Sequence, residues 1–489
     1  MHPEPSFSTH STQTDPTMDP TALLSSISTQ WDTEIVPQLT DYVRIPAKSP
    51  HFDPQWEANG HIERVICLAE AWAKKQPVHG LKVEIVRLPG RTPLLYFDVP
   101  ANGRSGNGTV LLYGHLDKQP EMSGWRDGYG PWTPLLEEGK LYGRGGADDG
   151  YAVFAALSAI GALQAQGIAH SRCVGMIETC EESGSYDLPA YLAALAPRLG
   201  PVELVIGLDS GCGDYVRLWD TTSLRGLAGG RLTVEVLTEG VHSGDASGVV
   251  PSSFRIARKL LDRLEDATTG RVLPPEFHAP IPAERVEQAR GAAKILGDMV
   301  VSRFPFAGST KPVVTDRTEA ILNRTWRPAL SITGADGLMP IASAGNVLRP
   351  LTALKLSLRL PPIIDGAKAT ATLKRLLESA PPYGATVRFD VEQGATGWNA
   401  PPTAVWLKEA IDAASLQFYD KPAAAVGEGG TIPFMAMLGE HFPSAQFLIT
   451  GVLGPHANAH GPNEFLHVPY AKKLTACVAF VIAAHAKRN

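Results

Sequence analysis

The fold of this chain is indicated most clearly by an apolar run that ends in two polar residues, VLLYGHLD at positions 110–117. Positions 109–113 have the composition of a buried strand. Further strand and helix patterns alternate after it, with strands at 174–179 and 202–208 and helices at 151–166 and 188–199. This alternation predicts an α/β fold in which helices cover both faces of a mostly parallel sheet. Functional residues in such a fold lie beyond the carboxyl ends of the strands.

Outside this region the pattern divides the chain into two predicted domains. The first α/β region also includes helices at 22–42 and 61–75 and strands at 81–87 and 94–99. Near Gly229 the pattern becomes α+β, with strands at 231–237, 354–360 and 386–391 and helices at 254–264 and 367–378. The α/β pattern returns with helices at 403–415 and 470–487 and a strand at 445–450. We therefore predict an α/β domain of residues 21–228 and 397–489, interrupted by an inserted α+β domain of residues 229–396.

Composition excludes several classes of protein. The 489 residues carry 44 basic and 50 acidic side chains without long runs of one sign, which argues against nucleic-acid binding. No uninterrupted apolar run reaches the roughly 18 residues that a membrane span needs. Residues 1–20 are rich in Ser, Thr and Pro and lack the apolar segment of a signal peptide, so they are predicted to be a disordered tail. The five cysteines are odd in number and widely spaced, which predicts free thiols in a reducing cytoplasm.

Acidic residues and histidines follow several of the apolar runs. The candidates are His115, Asp117, Asp148, Glu181, Glu182 and Asp209. His115 and Asp117 are two residues apart at the end of a strand, so their side chains point the same way. Asp148 precedes a helix, whose N-terminus favours a carboxylate. Taken singly these signals are weak, because Asp is common in turns and a Glu-Glu pair is usually solvated surface.

Together these residues indicate a metal centre. Four of them are expected to converge on one edge of the sheet: His115, Asp148, Glu182 and Asp209. Such a cluster would be unstable without a cation, and carboxylate and imidazole ligands without thiolate suit zinc, manganese or cobalt. Two zinc ions would be balanced by the three carboxylates and one hydroxide, which leaves Glu181 free as a general base. A second ion also needs a second histidine, which either His456 or His460 could supply.

The motifs in their order resemble the carnosinase-type di-zinc metallopeptidase family, which also includes bacterial dipeptidases, succinyl-diaminopimelate desuccinylase and aminoacylases. The matching pieces are GHLD at 114–117, LYGRG at 141–145 with the following Asp148-Asp149, EESGS at 181–185, Asp209, HSG at 242–244, GGTIP at 429–433, and Ala459-His460 with Asn463-Glu464. Their order and spacing agree over nearly the whole chain after residue 20. The resemblance implies a zinc-exopeptidase-like catalytic domain and an inserted lid and dimerisation domain.

The resemblance also implies a role for each candidate residue. Two Zn²⁺ ions would bind per chain, with Mn²⁺ or Co²⁺ as substitutes, and Asp148 would bridge them. The remaining metal ligands would be His115 and Asp209 for one ion, and Glu182 and His460 for the other. Asp117 would orient His115. Glu181 would deprotonate the attacking water and then protonate the leaving amine.

Further residues would act on the substrate. The chain would be a homodimer in which His242 reaches the partner's active site and polarises the scissile carbonyl. Arg359 and the loop of Gly429, Gly430 and Thr431 would bind the substrate's α-carboxylate, for which a bidentate arginine is well suited. Two departures from the family pattern bear on substrate choice. Gly427 stands where an arginine is usual, and Lys118 where an apolar residue is commoner.

We therefore predict metal-dependent hydrolysis of the peptide bond of dipeptides, or of C-terminal residues of short peptides. The alternative on the same fold is an N-acyl-amino-acid amidohydrolase or desuccinylase, which would use the same activated water. The predicted carboxylate-binding residues favour peptides. A third reading, a non-catalytic binding protein, would be expected to lack Glu181 or a ligand, and all of them are present.

Overall fold

The computed structural model describes residues 17–103, 108–392 and 394–488. The predicted N-terminal tail therefore lies outside the described residues as far as position 16, and the first helix begins at Pro20. The strands are β1 (Lys82–Val86), β2 (Leu94–Val99), β3 (Thr109–His115), β4 (Leu135–Glu137), β5 (Lys140–Tyr142), β6 (Cys173–Glu178), β7 (Val202–Gly207), β8 (Trp219–Leu224), β9 (Gly226–Glu235), β10 (Val241–His242), β11 (Ala329–Asp336), β12 (Val347–Leu348), β13 (Leu351–Leu360), β14 (Thr386–Val391), β15 (Trp398–Asn399), β16 (Ala424–Glu428), β17 (Gln446–Ile449) and β18 (Phe465–His467).

Helices occupy most of the predicted helical segments. They are α1 (Pro20–Gln30), α2 (Val36–Val43), α3 (Trp56–Asn59), α4 (His61–Ala73), α5 (Ala152–Ala165), α6 (Leu188–Leu199), α7 (Ser243–Ala246), α8 (Ser253–Leu261), α9 (Ala283–Leu296), α10 (Met299–Ser302), α11 (Arg317–Thr325), α12 (Gly366–Glu378), α13 (Val405–Tyr419), α14 (Pro433–His441) and α15 (Val468–Lys487). A π-helical turn at Trp31–Ile35 joins α1 to α2. Among the described helices, none is long and apolar enough to cross a membrane.

A six-stranded sheet in the order β1-β2-β6-β3-β7-β17 forms the centre of the α/β part. The pairs β6–β3, β3–β7 and β7–β17 are parallel, and the pairs β1–β2 and β2–β6 are antiparallel. Strand β3 is buried along its whole length, with Val110 and Leu112 in one core cluster and Leu111 and Tyr113 in the other. Alternate residues of a strand face opposite sides, so both faces of this sheet are covered. The predicted mostly parallel α/β fold is confirmed.

A separate four-stranded antiparallel sheet has the order β11-β13-β9-β14. Helices α8 and α12 cover one of its faces, and their apolar side chains share a core cluster with β9, β13 and β14. Ser252 and Asp365 begin these helices as N-caps, accepting hydrogen bonds from Arg255 N and Lys368 N. This sheet and its helices fall within residues 229–396 except for the start of β9.

Two helices in the chain between α8 and α12 pack elsewhere. Helices α9 and α11 lie within the segment predicted for the inserted domain, yet Ala289, Leu296 and Leu322 belong to the core cluster of the α/β part. They contact β16, which pairs with β8 in a small sheet of order β15-β8-β16. None of the strands predicted from the sequence corresponds to β8 or β16. Both lie beside the loops that form the candidate site.

Candidate metal centre

The carboxyl ends of neighbouring parallel strands bring the predicted metal ligands together. His115 is the last residue of β3, Glu182 follows β6, and Asp209 follows β7. Asp148 lies in the loop before α5, and its peptide bond to Asp149 is cis. His460 lies in the loop before β18, where its φ angle is positive.

Three of these side chains form the first candidate metal group, which consists of His115, Asp148 and Asp209. The Nε2 atom of His115 lies 3.5 Å from Oδ1 of Asp148 and 3.8 Å from Oδ2 of Asp209. All three residues are buried. Their ligand atoms lie within 4.8 Å of one another, which is a separation that one ion can span.

The second candidate group consists of Asp148, Glu182 and His460. The Nε2 atom of His460 lies 3.0 Å from Oδ2 of Asp148 and 3.5 Å from Oε2 of Glu182. Asp148 therefore turns one carboxylate oxygen to His115 and the other to His460. The two groups share this residue, and the side chain of His460 is the most exposed of the set, at 55%.

The residues present fit a pair of divalent cations. The Nε2 atom of His115 and Oε1 of Glu182 are buried and have no hydrogen-bond partner among the described residues. Buried polar atoms are rarely left without a partner, so these two atoms indicate a ligand between them. The donor set is carboxylate and imidazole, which suits zinc, manganese or cobalt.

The electrostatics of the cluster also favour cations. Burial raises the pKa of Glu182 and Asp209, and the charge of Asp148 raises both further. Burial opposes ionisation of Asp148 as well, but hydrogen bonds with His115 and His460 lower its pKa below the ordinary value. Carboxylates packed this closely cannot all ionise unless positive charge compensates them.

Asp117 holds two parts of the cluster in place. Its carboxylate accepts hydrogen bonds from Glu181 N at 3.1 Å and Glu182 N at 3.0 Å. The Nδ1 atom of His115 lies 3.0 Å from the carbonyl oxygen of Asp117 and 3.5 Å from its carboxylate. Glu181 is also buried, and its Oε2 atom lies 4.0 Å from Nε2 of His115. Burial, followed by the charge of Asp209, raises the pKa of Glu181 well above its ordinary value.

Several residues that support the site had no role assigned from the sequence. Gln119 donates a hydrogen bond from Nε2 to Oε2 of Glu182 at 2.6 Å. Arg144 and Glu464 form a buried ion pair, and Arg144 also donates to the carbonyl oxygen of Gly461, next to His460. Arg144 and Glu464 lie in the motifs that carry the family resemblance, and Gln119 lies two residues after Asp117. Motif position alone could therefore have identified them.

A cavity of about 400 Å³ opens above the cluster. Its lining includes Glu181, Gly430 and Thr431 together with the ligand residues Asp148, Glu182, Asp209 and His460. Behind the cavity wall, Arg359 donates a hydrogen bond from Nη1 to Oγ1 of Thr431 at 3.0 Å. Arg225 donates from Nε to the carbonyl oxygen of Gly429 at 3.2 Å. The predicted carboxylate-binding loop therefore borders the metal cluster, with two arginines beside it.

His242 is not among the residues that line this cavity. It lies on β10, exposed, and its Nδ1 accepts a hydrogen bond from Gly244 N at 3.1 Å. Strand β10 pairs with β12, which places His242 opposite Val347. The predicted action of His242 on a partner's site stays a prediction.

The two sequence departures have local structural causes. A Cβ atom on Gly427 would lie 2.3 Å from Oγ of Ser223, because β16 packs directly on β8. The close packing leaves no room for a larger residue. Lys118 is buried and does not line the metal cavity, and its expected effect on substrate choice stays a prediction.

Comparison with known proteins agrees with this geometry. The sequence profile of Peptidase family M20/M25/M40 matches residues 111–484. The chain is 29% identical to the cysteinylglycine-S-conjugate dipeptidase of Corynebacterium striatum, over 74% of this chain and 79% of that protein. It is 30% identical to the Cys-Gly metallodipeptidase DUG1 of Candida albicans, over 54% of this chain and 56% of that protein. The structure of human carnosine dipeptidase 1 has the same fold, with a TM-score of 0.76 and 22% identity over 97% of this chain and 100% of that one.

Proposed function

The chain belongs to peptidase family M20/M25/M40, and on that premise we propose that it hydrolyses dipeptides, or releases C-terminal residues from short peptides, at a centre of two zinc ions. The two relatives compared above, which are 29% and 30% identical to this chain, are named dipeptidases. The observation that carries the proposal is the position of Asp148, whose two carboxylate oxygens face two different groups of ligands.

The metal ligands would act as two sets that share one residue. Asp148 would bridge the ions, with His115 and Asp209 on one side and Glu182 and His460 on the other. When bound, the ions supply Lewis-acid polarisation of the scissile carbonyl and lower the pKa of the attacking water.

Proton transfer falls to Glu181. It accepts the proton of the attacking water and returns it to the leaving amine, a role that requires a carboxylate within reach of the reacting atoms. Asp117 positions both Glu181 and His115, because it contacts the main chain of the first and the ring of the second.

Substrate would be held by its free carboxylate. Gly430 and Thr431 line the cavity on one side, and Arg359 donates a hydrogen bond to the Thr431 hydroxyl from behind them. A guanidinium and a hydroxyl together can bind a carboxylate through charge-assisted hydrogen bonds. This placement favours a substrate with a free carboxylate on the C-terminal side of the scissile bond, a feature that dipeptides and N-acyl amino acids share.

We also propose that the chain is a homodimer assembled through an inserted lid domain of residues 229–396, with residues 21–228 and 397–489 as the catalytic domain. The four-stranded sheet has its own core cluster, and β11 is at its edge. Exposed apolar side chains near that edge include Ile332, Leu338, Met339, Ile341 and Val347. An apolar edge of this kind is typical of an interface. His242 lies against Val347 and would face the partner.

A cytoplasmic location is part of the same proposal. All five cysteines are free thiols, four of them buried and Cys67 exposed. Free thiols are typical of proteins in a reducing compartment.

The proposed reaction is tested with a panel of substrates and zinc-reconstituted protein. We expect hydrolysis of dipeptides, and about 30- to 1000-fold lower kcat/KM for the same dipeptides amidated at the C-terminus, since a buried charge-assisted contact would be lost. Zinc-free protein is the control and should be inactive. Hydrolysis of N-acyl amino acids without hydrolysis of any dipeptide would contradict the proposal and favour the amidohydrolase alternative.

A further inference from the structure

Arginines gather around the Gly429–Thr431 loop in excess of what one carboxylate needs. A Cβ atom on Gly429 would lie 3.1 Å from Cγ of Arg324 and 3.3 Å from Nη2 of Arg225, so both side chains pack on this glycine. Arg359 contacts Thr431 in the same loop. Arg303 is close enough that its charge lowers the pKa of Arg324.

These arginines form no ion pairs among the described residues, and the charge of the nearby Glu428 carboxylate offsets only part of the fall in the pKa of Arg324. Arg225 donates only to backbone carbonyl groups, and Arg359 only to the Thr431 hydroxyl. Neither they nor Arg303 and Arg324 form an ion pair with any carboxylate in the described parts of the chain. Charged groups held away from water are costly unless they are paired, so the buried guanidinium atoms of Arg225 and Arg324 favour additional negative charge nearby.

The lack of hydrogen-bond acceptors is clearest at Arg324. Its Nε atom is buried and has no hydrogen-bond partner among the described residues. Burial, followed by the charge of Arg303, lowers the pKa of Arg324 to about 10. A guanidinium has five N–H donors and is seldom left without acceptors, so the position is suited to an incoming anion.

Arg303 and Arg324 both line a second cavity, of about 460 Å³. Leu453 and Ala459 line this cavity and also the cavity above the metal cluster, so the two adjoin. The loop that ends in His460 separates them. A ligand whose scissile bond lies at the metal cluster would have to pass Leu453 and Ala459, which border both cavities, to bring a side chain to the two arginines.

We propose that the second cavity receives the side-chain carboxylate of an acidic C-terminal residue, Glu or Asp, with Arg303 and Arg324 as its partners. This inference rests on the proposed dipeptidase function and names the substrate class it prefers. Arg359 and the Gly429–Thr431 loop would bind the α-carboxylate. Arg324 packs on Gly429 and would therefore be the neighbouring cation that binds the side-chain carboxylate. The acidic residue belongs at the C-terminal position because the carboxylate-binding loop lies between the cluster and the arginines.

The test compares substrates that differ only in one charge. For the zinc-loaded enzyme we expect kcat/KM for Ala-Glu to exceed that for Ala-Gln by about 10- to 100-fold, the effect of a charge-assisted hydrogen bond. The N-terminal pair Glu-Ala and Gln-Ala should differ little. Arg324→Gln and Arg303→Gln should each reduce the Ala-Glu to Ala-Gln ratio toward one.

Arg290→Gln is the matched control. Arg290 is an exposed arginine of α9 that pairs with Glu287, so this variant should keep the wild-type ratio. Because Arg303 is exposed, its variant is expected to fold even if Arg324→Gln does not, which circular dichroism and thermal unfolding would check.

The outcomes distinguish failure of the acidic-substrate inference from failure of the proposed dipeptidase function. If Ala-Gln is hydrolysed but Ala-Glu is not preferred, or if the preference survives in both variants, the acidic-substrate inference is wrong and the dipeptidase function stands. If no dipeptide is hydrolysed, both are wrong. A preference that is present in wild type and Arg290→Gln and lost in Arg303→Gln supports the inference.

Discussion

Among single side chains, the position of Glu181 relative to Glu182 bears most directly on the chemistry. Both follow β6, and Asp117 accepts a hydrogen bond from the backbone N–H of each. Glu182 lies in a candidate metal group with Asp148 and His460, whereas Glu181 is in neither group. The adjacent glutamates are therefore suited to different tasks.

We expect Glu181→Gln to retain two metal ions per chain and to lower kcat by about 100- to 10,000-fold, since general-base catalysis is worth that much. Metal content measured by mass spectrometry and kcat for a dipeptide check this together. Glu121→Gln is a matched control, because Glu121 pairs with Lys48 at the surface. If Glu181→Gln loses metal and keeps its activity per bound ion, the roles of Glu181 and Glu182 are reversed.

The sequence predicted that the candidate side chains would converge because they are tied to strand ends. His115, Glu182 and Asp209 follow β3, β6 and β7, and the order of those strands in a parallel sheet brings them together. The choice between His456 and His460 could not be made from residue patterns, because both lie in one irregular loop. In the structure His460 contacts Asp148, while His456 lines the second cavity.

Among the helices and strands, the end of α2 is fixed by a side chain from the loop after β3. Lys118 donates hydrogen bonds from Nζ to the carbonyl oxygens of Tyr42 at 2.7 Å and Ile45 at 2.9 Å. Its ammonium group also lies 3.8 Å from the centre of the Tyr42 ring. The last carbonyl groups of a helix have no partners within the helix, so Lys118 caps α2 and holds it against the site.

We expect Lys118→Met to reduce the free energy of unfolding by about 1–3 kcal/mol, because buried carbonyl groups would lose their donor. Chemical denaturation measures the change. Lys368→Met is the control, since Lys368 is 86% exposed, and it should change stability by less than about 0.5 kcal/mol. Equal losses in the two variants would mean that Lys118 does not stabilise α2.

Strand β8 was not predicted, for a physical reason. All six residues of β8, Trp219–Leu224, are buried although four of them are polar. Their polarity is met by hydrogen bonds, as between Ile449 N and the Asp220 carboxylate at 3.3 Å. Sequence patterns identify strands by alternating or continuous apolar residues, and a buried polar strand shows neither.

At the scale of the whole molecule, the change of sequence pattern near Gly229 predicted only part of how the chain divides between two cores. The alternation at 354–360 and the helical pattern at 367–378 predicted part of a separate α+β unit, and the corresponding β13 and α12 are present with a core of their own. Helices α9 and α11 were not predicted, and their apolar faces pack on the α/β core instead. Only tertiary packing decides which core a short amphipathic helix joins.

Assembly through the exposed edge near β11 gives a prediction about mixing. Hybrids of a Glu181→Gln chain and a His242→Ala chain would contain one intact site, in which His242 comes from the Glu181→Gln chain. If half of the dimers are hybrids, an equal mixture should recover about a quarter of wild-type activity. Light scattering would confirm the dimer. No recovery on mixing, or a strictly monomeric active enzyme, would contradict the exchange of His242.

The most direct test of the dinuclear account is a zinc titration of metal-free protein in which bound metal and dipeptide hydrolysis are followed together. Asp148 faces both ligand groups, so each ion should help to form the other's site. We predict two zinc ions bound per chain at saturation, with activity that requires both. Full activity with one ion per chain, or hydrolysis by protein free of metal, would contradict the account.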